Sequence, residues 1–308
     1  MCQATEVSGK ALPSVVTISA SGAEGAGTGS GVIIRSGGFI LTNDHVISVG
    51  AGGGTVSLRY SDGRTAGAAI AGRDPFTDLA VLKADDDAQG LPVIELGQSS
   101  SLRVGEPVVA LGAPLGLSST VTTGIVSALD RYVRVPAGNG LTAHLVGAIQ
   151  TDASINPGNS GGALVDCEAR LVGINTAGAA VPNSAGGSIG LGFAIPIDLA
   201  KKLADELIET GRVNHPDLGL QVQTIPPEIA QQTGGTAGLF VQGVTPGGSA
   251  DQAGLRRGDI ITEIEGEPAT SVEDLVVKTL TLRAGDSIRV TYERSGTSAT
   301  TVLTVGPR

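Results

Sequence analysis

The 308-residue sequence has no tryptophan, one methionine, two cysteines and three histidines, and its aromatic residues make up only 2% of the chain. Its core must therefore be packed from Val, Ile, Leu and Ala. The 47 glycines point to short strands and tight turns rather than long helices. No apolar run approaches the ~20 residues of a membrane-spanning helix. The opening Met1-Cys2-Gln3-Ala4-Thr5-Glu6 has neither a basic region nor an apolar stretch, so it is not an export signal. A basic excess is missing too. The formal net charge of −10 argues against nucleic acid and against docking on anionic membranes, and otherwise favours solubility. No His, Cys and carboxylate cluster has metal-ligand spacing, so neither metal nor cofactor is expected. The run Gly25-Ala26-Gly27-Thr28-Gly29-Ser30-Gly31 fits neither a dinucleotide fingerprint nor a P-loop. With Cys2 and Cys167 as the only cysteines, two readings stay open: unpaired thiols, or a disulfide formed in an oxidising compartment. Cys2 could also be the lipid-bearing first residue of a lipoprotein.

Against these absences stands Gly158-Asn159-Ser160-Gly161-Gly162. It sets a serine between glycines, where backbone amides can turn toward a developing oxyanion. A serine hydroxyl is inert at neutral pH unless a base takes its proton. Of the three histidines, His45 ends the apolar run from Ile40 to Ile47, His144 lies near the Gly-rich 137–140 segment, and His215 precedes Pro216 in an extended linker. The best-placed carboxylate is Asp78, at a loop-to-strand junction before Leu79-Ala80-Val81-Leu82-Lys83. The order His45, Asp78, Ser160 matches the chymotrypsin-type double barrel and neither the subtilisin nor the α/β-hydrolase order. On this reading Ser160 is the nucleophile, His45 the base and Asp78 the group that orients the imidazole. Amides of the Gly158-Asn159-Ser160 turn form the oxyanion hole, with those of Gly158 and Ser160 as donors and Asn159 shaping the turn.

Thr42-Asn43-Asp44-His45-Val46, Asp78 to Lys83, the block Ile149 to Leu164, Gly173-Ile174-Asn175-Thr176 and Gly192-Phe193-Ala194-Ile195-Pro196 together resemble the bacterial HtrA/Deg family of serine proteases with one C-terminal PDZ domain, in its actinobacterial form. The resemblance implies a mainly β chain: a chymotrypsin-like double β-barrel protease domain over 8–212, a linker over 213–217 and a small α+β PDZ domain over 218–308. It implies a substrate pocket built from Ser154, Ile155, Asn175, Thr176, Ala177, Gly178 and Ala179. Ser154 stands six residues before the nucleophile, so no buried acid selects Lys or Arg, and the small residues of 177–180 imply a roomier pocket than is usual. It implies a PDZ groove in which Leu218-Gly219-Leu220 captures a C-terminal carboxylate while Val276 and Leu280 face the apolar peptide end. Unfolded protein substrates, C-terminal apolar peptides and a homo-trimer are the implied partners. Residues 1–16 hold no aromatic to make the family's N-terminal trimer contacts, so these must come from other residues or from upstream. The implied location is extracytoplasmic, with an export signal or a membrane or lipid anchor lying upstream of this sequence. Two other functions fit parts of the pattern: a chaperone or peptide sensor with a resting protease site, and a small-molecule esterase. The second leaves the PDZ-like region without a purpose.

Strand-like runs are expected at Ser14–Ser19, Gly31–Arg35, Val56–Tyr60, Leu79–Lys83 and Pro107–Leu111. A second set runs over Thr120–Leu129, Ala148–Gln150, Gly162–Val165, Leu171–Asn175 and Gly192–Ile195. Gly-rich loops are expected around 113–120, 134–145 and 177–190. A helix from Asp198 to Thr210, with Asp198 as N-cap and Gly211 as stop, closes the first domain. In the second, strands at Leu218–Val222, Gly238–Val244, Arg257–Ile264, Ser287–Glu293 and Ser298–Val305 flank a helix from Ser271 to Leu282, with Ser271 and Asp274 as a capping pair.

Overall fold

The computed structural model describes residues 2–23, 25–113, 120–136, 142–178, 187–280, 282 and 285–307. Two compact units divide the chain, Met1–Val213 and Asn214–Arg308. The first opens with α1 (Ala4–Ala11), a helix not anticipated from the sequence, whose Val7 and Ala11 are buried. β1 (Val15–Gly22), β2 (Gly25–Arg35), β3 (Phe39–Thr42), β4 (Thr55–Arg59), β5 (Thr65–Asp74) and β6 (Leu79–Ala84) close into a barrel in the order β1-β2-β3-β6-β5-β4, with the single turn of α2 (Asp44–Ile47) following β3. A second barrel follows: β7 (Pro107–Gly112), β8 (Thr120–Pro136), β9 (Thr142–Thr151), β10 (Ala163–Val165), β11 (Leu171–Gly178) and β12 (Gly192–Pro196), in the order β10-β11-β12-β9-β8-β7. α3 (Ile197–Thr210) ends the unit.

Strand periodicity explains why the site falls where it does. Successive side chains of a strand point to opposite faces. On β6, Ala80 and Leu82 fill the first barrel beside Ile18, Ile33 and Ile40, while Leu79 and Val81 face a separate core. On β7, Val108 and Ala110 fill the second barrel, while Val109 and Leu111 join that same separate core. This shared core also takes in Leu41, Val165, Leu171 and the α3 residues Ala200, Leu203, Ala204 and Leu207, so it welds the two barrels together. Strands buried on both faces read as unbroken apolar runs, which is the pattern of Leu79–Leu82.

The Gly25–Gly31 run is the first part of β2, paired with β1 along its length. Two local expectations need correction. Much of the expected 134–145 loop is strand, because β8 continues to Pro136 and β9 begins at Thr142. Asp198 does not cap α3. It lies inside the first turn, where its carboxylate accepts the amides of Ser99 (3.3 Å) and Ser100 (2.9 Å) from an earlier turn. Gly211 does end the helix, in the left-handed region at φ 77°.

The second unit contains β13 (Pro216–Asp217), β14 (Leu220–Ile225), α4 (Pro227–Thr233), β15 (Gly238–Val244), α5 (Ser249–Gln252), β16 (Ile260–Ile264), β17 (Glu267–Pro268), α6 (Val272–Leu280), β18 (Ser287–Arg294), β19 (Thr297–Thr304) and β20 (Gly306–Pro307). The main sheet runs β14-β15-β16-β18-β19, which leaves β14 on an edge, and β13 pairs with β20. Leu239, Val241, Ile261, Ile288, Val290 and Leu303 pack with Leu275 of α6 into its core. α6 starts with a reciprocal cap: the Ser271 amide donates to Asp274 Oδ2 (2.9 Å), and the Asp274 amide to Ser271 Oγ (3.3 Å). Among the described residues no helix is long and apolar enough to cross a membrane.

Candidate active site

β3 ends at Thr42, and the extended Asn43 turns the chain into α2, which carries His45. Asp78 immediately precedes β6 and sits at φ 59°, a left-handed conformation that aspartate tolerates better than most residues. That backbone is held from two sides: the Asp78 carbonyl accepts Asn43 Nδ2 (2.9 Å) and the Asp44 amide (3.2 Å). The fully buried Asp78 carboxylate then faces His45, with Nδ1 at 3.0 Å from Oδ1 and 2.9 Å from Oδ2. The His45 amide donates to Oδ1 as well (3.0 Å). A carboxylate only accepts, so the Nδ1 position carries the proton and Nε2 is left as the basic nitrogen.

Burial disfavours the charged imidazole, but the hydrogen bond and charge of Asp78, with the charge of Asp44 behind them, outweigh it and hold the His45 pKa above its ordinary 6.5. Asp44 is fully buried and gripped by Arg73, whose Nε and Nη2 donate to its two oxygens at 2.7 and 2.8 Å. Burial nevertheless leaves the Asp44 pKa above the usual carboxylate value despite that pairing.

Ser160 belongs to the turn before β10. Its hydroxyl donates to the carbonyl of Thr176 on β11 at 2.7 Å. The Thr176 hydroxyl in turn donates to Asp78 Oδ2, also at 2.7 Å. Thr176, only 3% exposed, thus joins the serine of the second barrel to the carboxylate of the first. The turn itself is clamped across the barrels. The Ser30 amide donates to the Ser160 carbonyl (2.8 Å), and the Ser30 hydroxyl donates to the Gly158 carbonyl (2.6 Å) while accepting the Ala113 amide (2.8 Å). Gly161 is at φ 81°, and a Cβ there would lie 2.1 Å from the Ser30 carbonyl oxygen, so no other residue fits without moving the clamp.

Of the three turn residues expected around an oxyanion, Asn159 has its amide committed to the Asn156 carbonyl (2.9 Å), while its side chain donates to the Ser154 carbonyl (3.2 Å). Among the described residues no protein acceptor faces the amides of Gly158 and Ser160. The expected pocket residues separate. Thr176 is the junction just described. Asn175 is buried inside the barrel, donating to the carbonyls of Leu111 (3.2 Å) and Ala163 (2.9 Å). Ile155 is 3% exposed and packs in the second barrel with Ala153, Leu164 and Ala194. All three are buried and engaged by the fold. Ser154 is half-buried, and its carbonyl also accepts the Thr122 hydroxyl (3.0 Å). The backbone of Ala177 and Gly178 continues β11, and Ala179 lies outside the described residues.

The other histidines serve elsewhere. His144, on β9, stacks on Phe76 at 4.5 Å between ring centroids and is hydrogen-bonded to the Tyr132 hydroxyl. His215 is buried. In the second unit, Leu218 is a core residue and the Gly219 amide donates to Asp217 Oδ1 (2.7 Å), so this amide is already engaged. Leu220 is half-buried and packs against the same core. Val276 and Leu280 are half-buried on α6 and stand outside the core cluster that holds Leu275.

Residues 29–174 match the trypsin-like peptidase domain, and residues 216–305 match the PDZ domain. The chain is 43% identical over 312 residues to serine protease PepD of Mycobacterium tuberculosis, covering 98% of this chain and 65% of PepD. It is 40% identical over 272 residues to the periplasmic serine endoprotease DegP of Escherichia coli, covering 87% of this chain and 54% of DegP. A solved structure of the HtrA-type protease AlgW with a decapeptide superposes with a TM-score of 0.79 at 34% identity, covering 99% of both chains. The chain belongs to the HtrA family of serine proteases. It spans about two thirds of PepD and about half of DegP. In this HtrA chain, sequence reasoning missed Thr176 as a junction, Ser30 as a clamp and Arg73 as the partner of Asp44. Only Asp44 carried a signal, by standing next to His45.

Proposed function

We propose that the chain is a serine endopeptidase of extracytoplasmic protein quality control, cleaving unfolded proteins through an acyl-enzyme. The observation that carries this reading is the connected set His45–Asp78–Thr176–Ser160, with hydrogen bonds of 2.7–2.9 Å between successive members. Nε2 of His45 takes the Ser160 proton as Oγ attacks the scissile carbonyl, and returns it to the leaving amine. Asp78 holds the imidazole tautomer and stabilises the imidazolium. The amides of Gly158 and Ser160 stabilise the oxyanion. With the Ser160 hydroxyl donating to Thr176, the serine first has to rotate toward His45, which favours a low basal activity that substrate raises. The relative named periplasmic supports the location.

The PDZ-like unit captures apolar C-termini as an added strand on the free edge of β14, with Val276 and Leu280 toward the peptide. The test is cleavage of unfolded casein by the chain and by Ser160→Ala, each with and without an apolar C-terminal peptide. The expected result is a loss of roughly 10⁴-fold or more in the variant, with peptide stimulation of the unaltered chain only. Equal activity of the two proteins removes Ser160 as the nucleophile. Equal inactivity favours the chaperone or sensor reading.

A further inference from the structure

The chain's only two cysteines are distant in sequence and sit on different elements of the first unit. Cys2 leads into α1 and packs against the core shared by the barrels. Cys167 lies in the turn between β10 and β11, with its Sγ 3.8 Å from the carbonyl oxygen of Pro107 at the start of β7. α1 rests on β7 and β8, anchored by its buried Val7 and Ala11. The core on which Cys2 packs includes Val165 and Ala169, the residues two before and two after Cys167, and Cys2 lies close enough to raise the Cys167 pKa. Both are half-buried, so a small oxidant can reach them.

We propose that Cys2 and Cys167 form a disulfide that staples α1 to the β10–β11 turn when a disulfide oxidant is present. The placement meets the first requirement of such a bond, the nearness of the two side chains, and both thiols are free. The Cys2 thiolate attacks one sulfur of the oxidant, forming a mixed disulfide and expelling one thiolate. That thiolate takes the proton of Cys167, whose sulfur then attacks Sγ of Cys2 and expels the second half of the oxidant as a thiolate, which takes up the proton that Cys2 gave to the solvent. One disulfide is reduced to two thiols and one protein disulfide is gained. The order follows from the environment of Cys167, whose pKa burial and then the neighbouring Cys2 push up to about 12, so that it does not lead the attack. Glu95, Glu106, Asp166 and Glu168 line the groove of about 590 Å³ beside Cys167, with Arg170 among them. These carboxylates repel an anionic oxidant, so an uncharged one is the better probe.

The staple stands apart from the proteolytic reading and needs no activity measurement. The full chain is treated with hydroxyethyl disulfide, or with a phosphine reductant, and digested without reduction for mass mapping. The expected product of oxidation is one peptide pair joining Cys2 to Cys167, with the intact chain lighter by two hydrogen atoms and carrying no hydroxyethyl adduct. Closing so long a loop should raise Tm by ~5–10 °C over the reduced chain. Cys167→Ser should keep a hydroxyethyl adduct on Cys2 and lose the oxidant-dependent rise. An unaltered chain that retains an adduct on each cysteine, links to a second chain, or keeps both thiols free overturns the proposal.

Discussion

At His45, opposing effects decide the charge on the ring. Burial favours the neutral form, while Asp78 at 2.9 Å and the charge of Asp44 favour the imidazolium, and the carboxylates prevail. A base must be neutral to take a proton, so activity falls as pH drops through this raised pKa. The acid limb of kcat/KM is expected above pH 6.5, the ordinary histidine value. Asp44→Asn removes one of the charges that raise it, so the limb should move to lower pH; a limb that stays in place contradicts this account. The stability contribution has the opposite sense. It is fully present below the unfolded-state value and is lost as pH rises through the higher folded-state value. The sequence made His45, Asp78 and Ser160 visible because their signals are local: a histidine ending an apolar run, an aspartate before one, a serine among glycines. Thr176, Ser30 and Arg73 were not visible in this way. Arg73 meets Asp44 across 29 residues and Ser30 meets Gly158 across 128, and no local pattern marks such contacts.

α3 carries the burden of holding the two barrels together. Its Leu207 is fully buried, and its other core residues pack in the same cluster as Leu79 and Val81 of β6 and Leu171 of β11. Leu207→Ala leaves a cavity at this junction and should cost about 3 kcal/mol, lowering Tm by roughly 6–12 °C in thermal unfolding. A change of a degree or less would mean that the junction is not a stability centre. The helix itself was legible from its apolar spacing and from Gly211, whereas its capping was not. Asp198 looked like an N-cap because it follows Pro196 at the helix start. Its carboxylate is instead drawn to the amides of Ser99 and Ser100, groups that the local sequence does not reveal. The lengths of β8 and β9 were also underestimated, since the glycines of 137–140 suggested a loop over 134–145, whereas β8 runs to Pro136 and β9 starts at Thr142. Ser271 and Asp274 formed the expected cap because that interaction is confined to one helical turn.

For the whole molecule, membership of the HtrA family accounts for a double barrel followed by a PDZ domain, and the shared core explains how residues from separate barrels meet. Asp78 and His45 border the β3 and β6 strands of the first barrel, and Ser160 borders β10 of the second. The fold class was legible because two sets of short apolar strands and the chain order of three residues point to the same architecture. The burial of Ile155 and Asn175 was not legible, because in sequence they look like any apolar or polar lining residues. The central claim is that Ser160 is a nucleophile made reactive by His45 and Asp78. Its most direct test is labelling with diisopropyl fluorophosphate, followed by peptide mapping, on the unaltered chain and on His45→Ala. The account predicts one phosphoryl adduct, on Ser160, forming at least ~10³-fold more slowly in the variant. An adduct on another residue, or equal labelling rates in the two proteins, would contradict it.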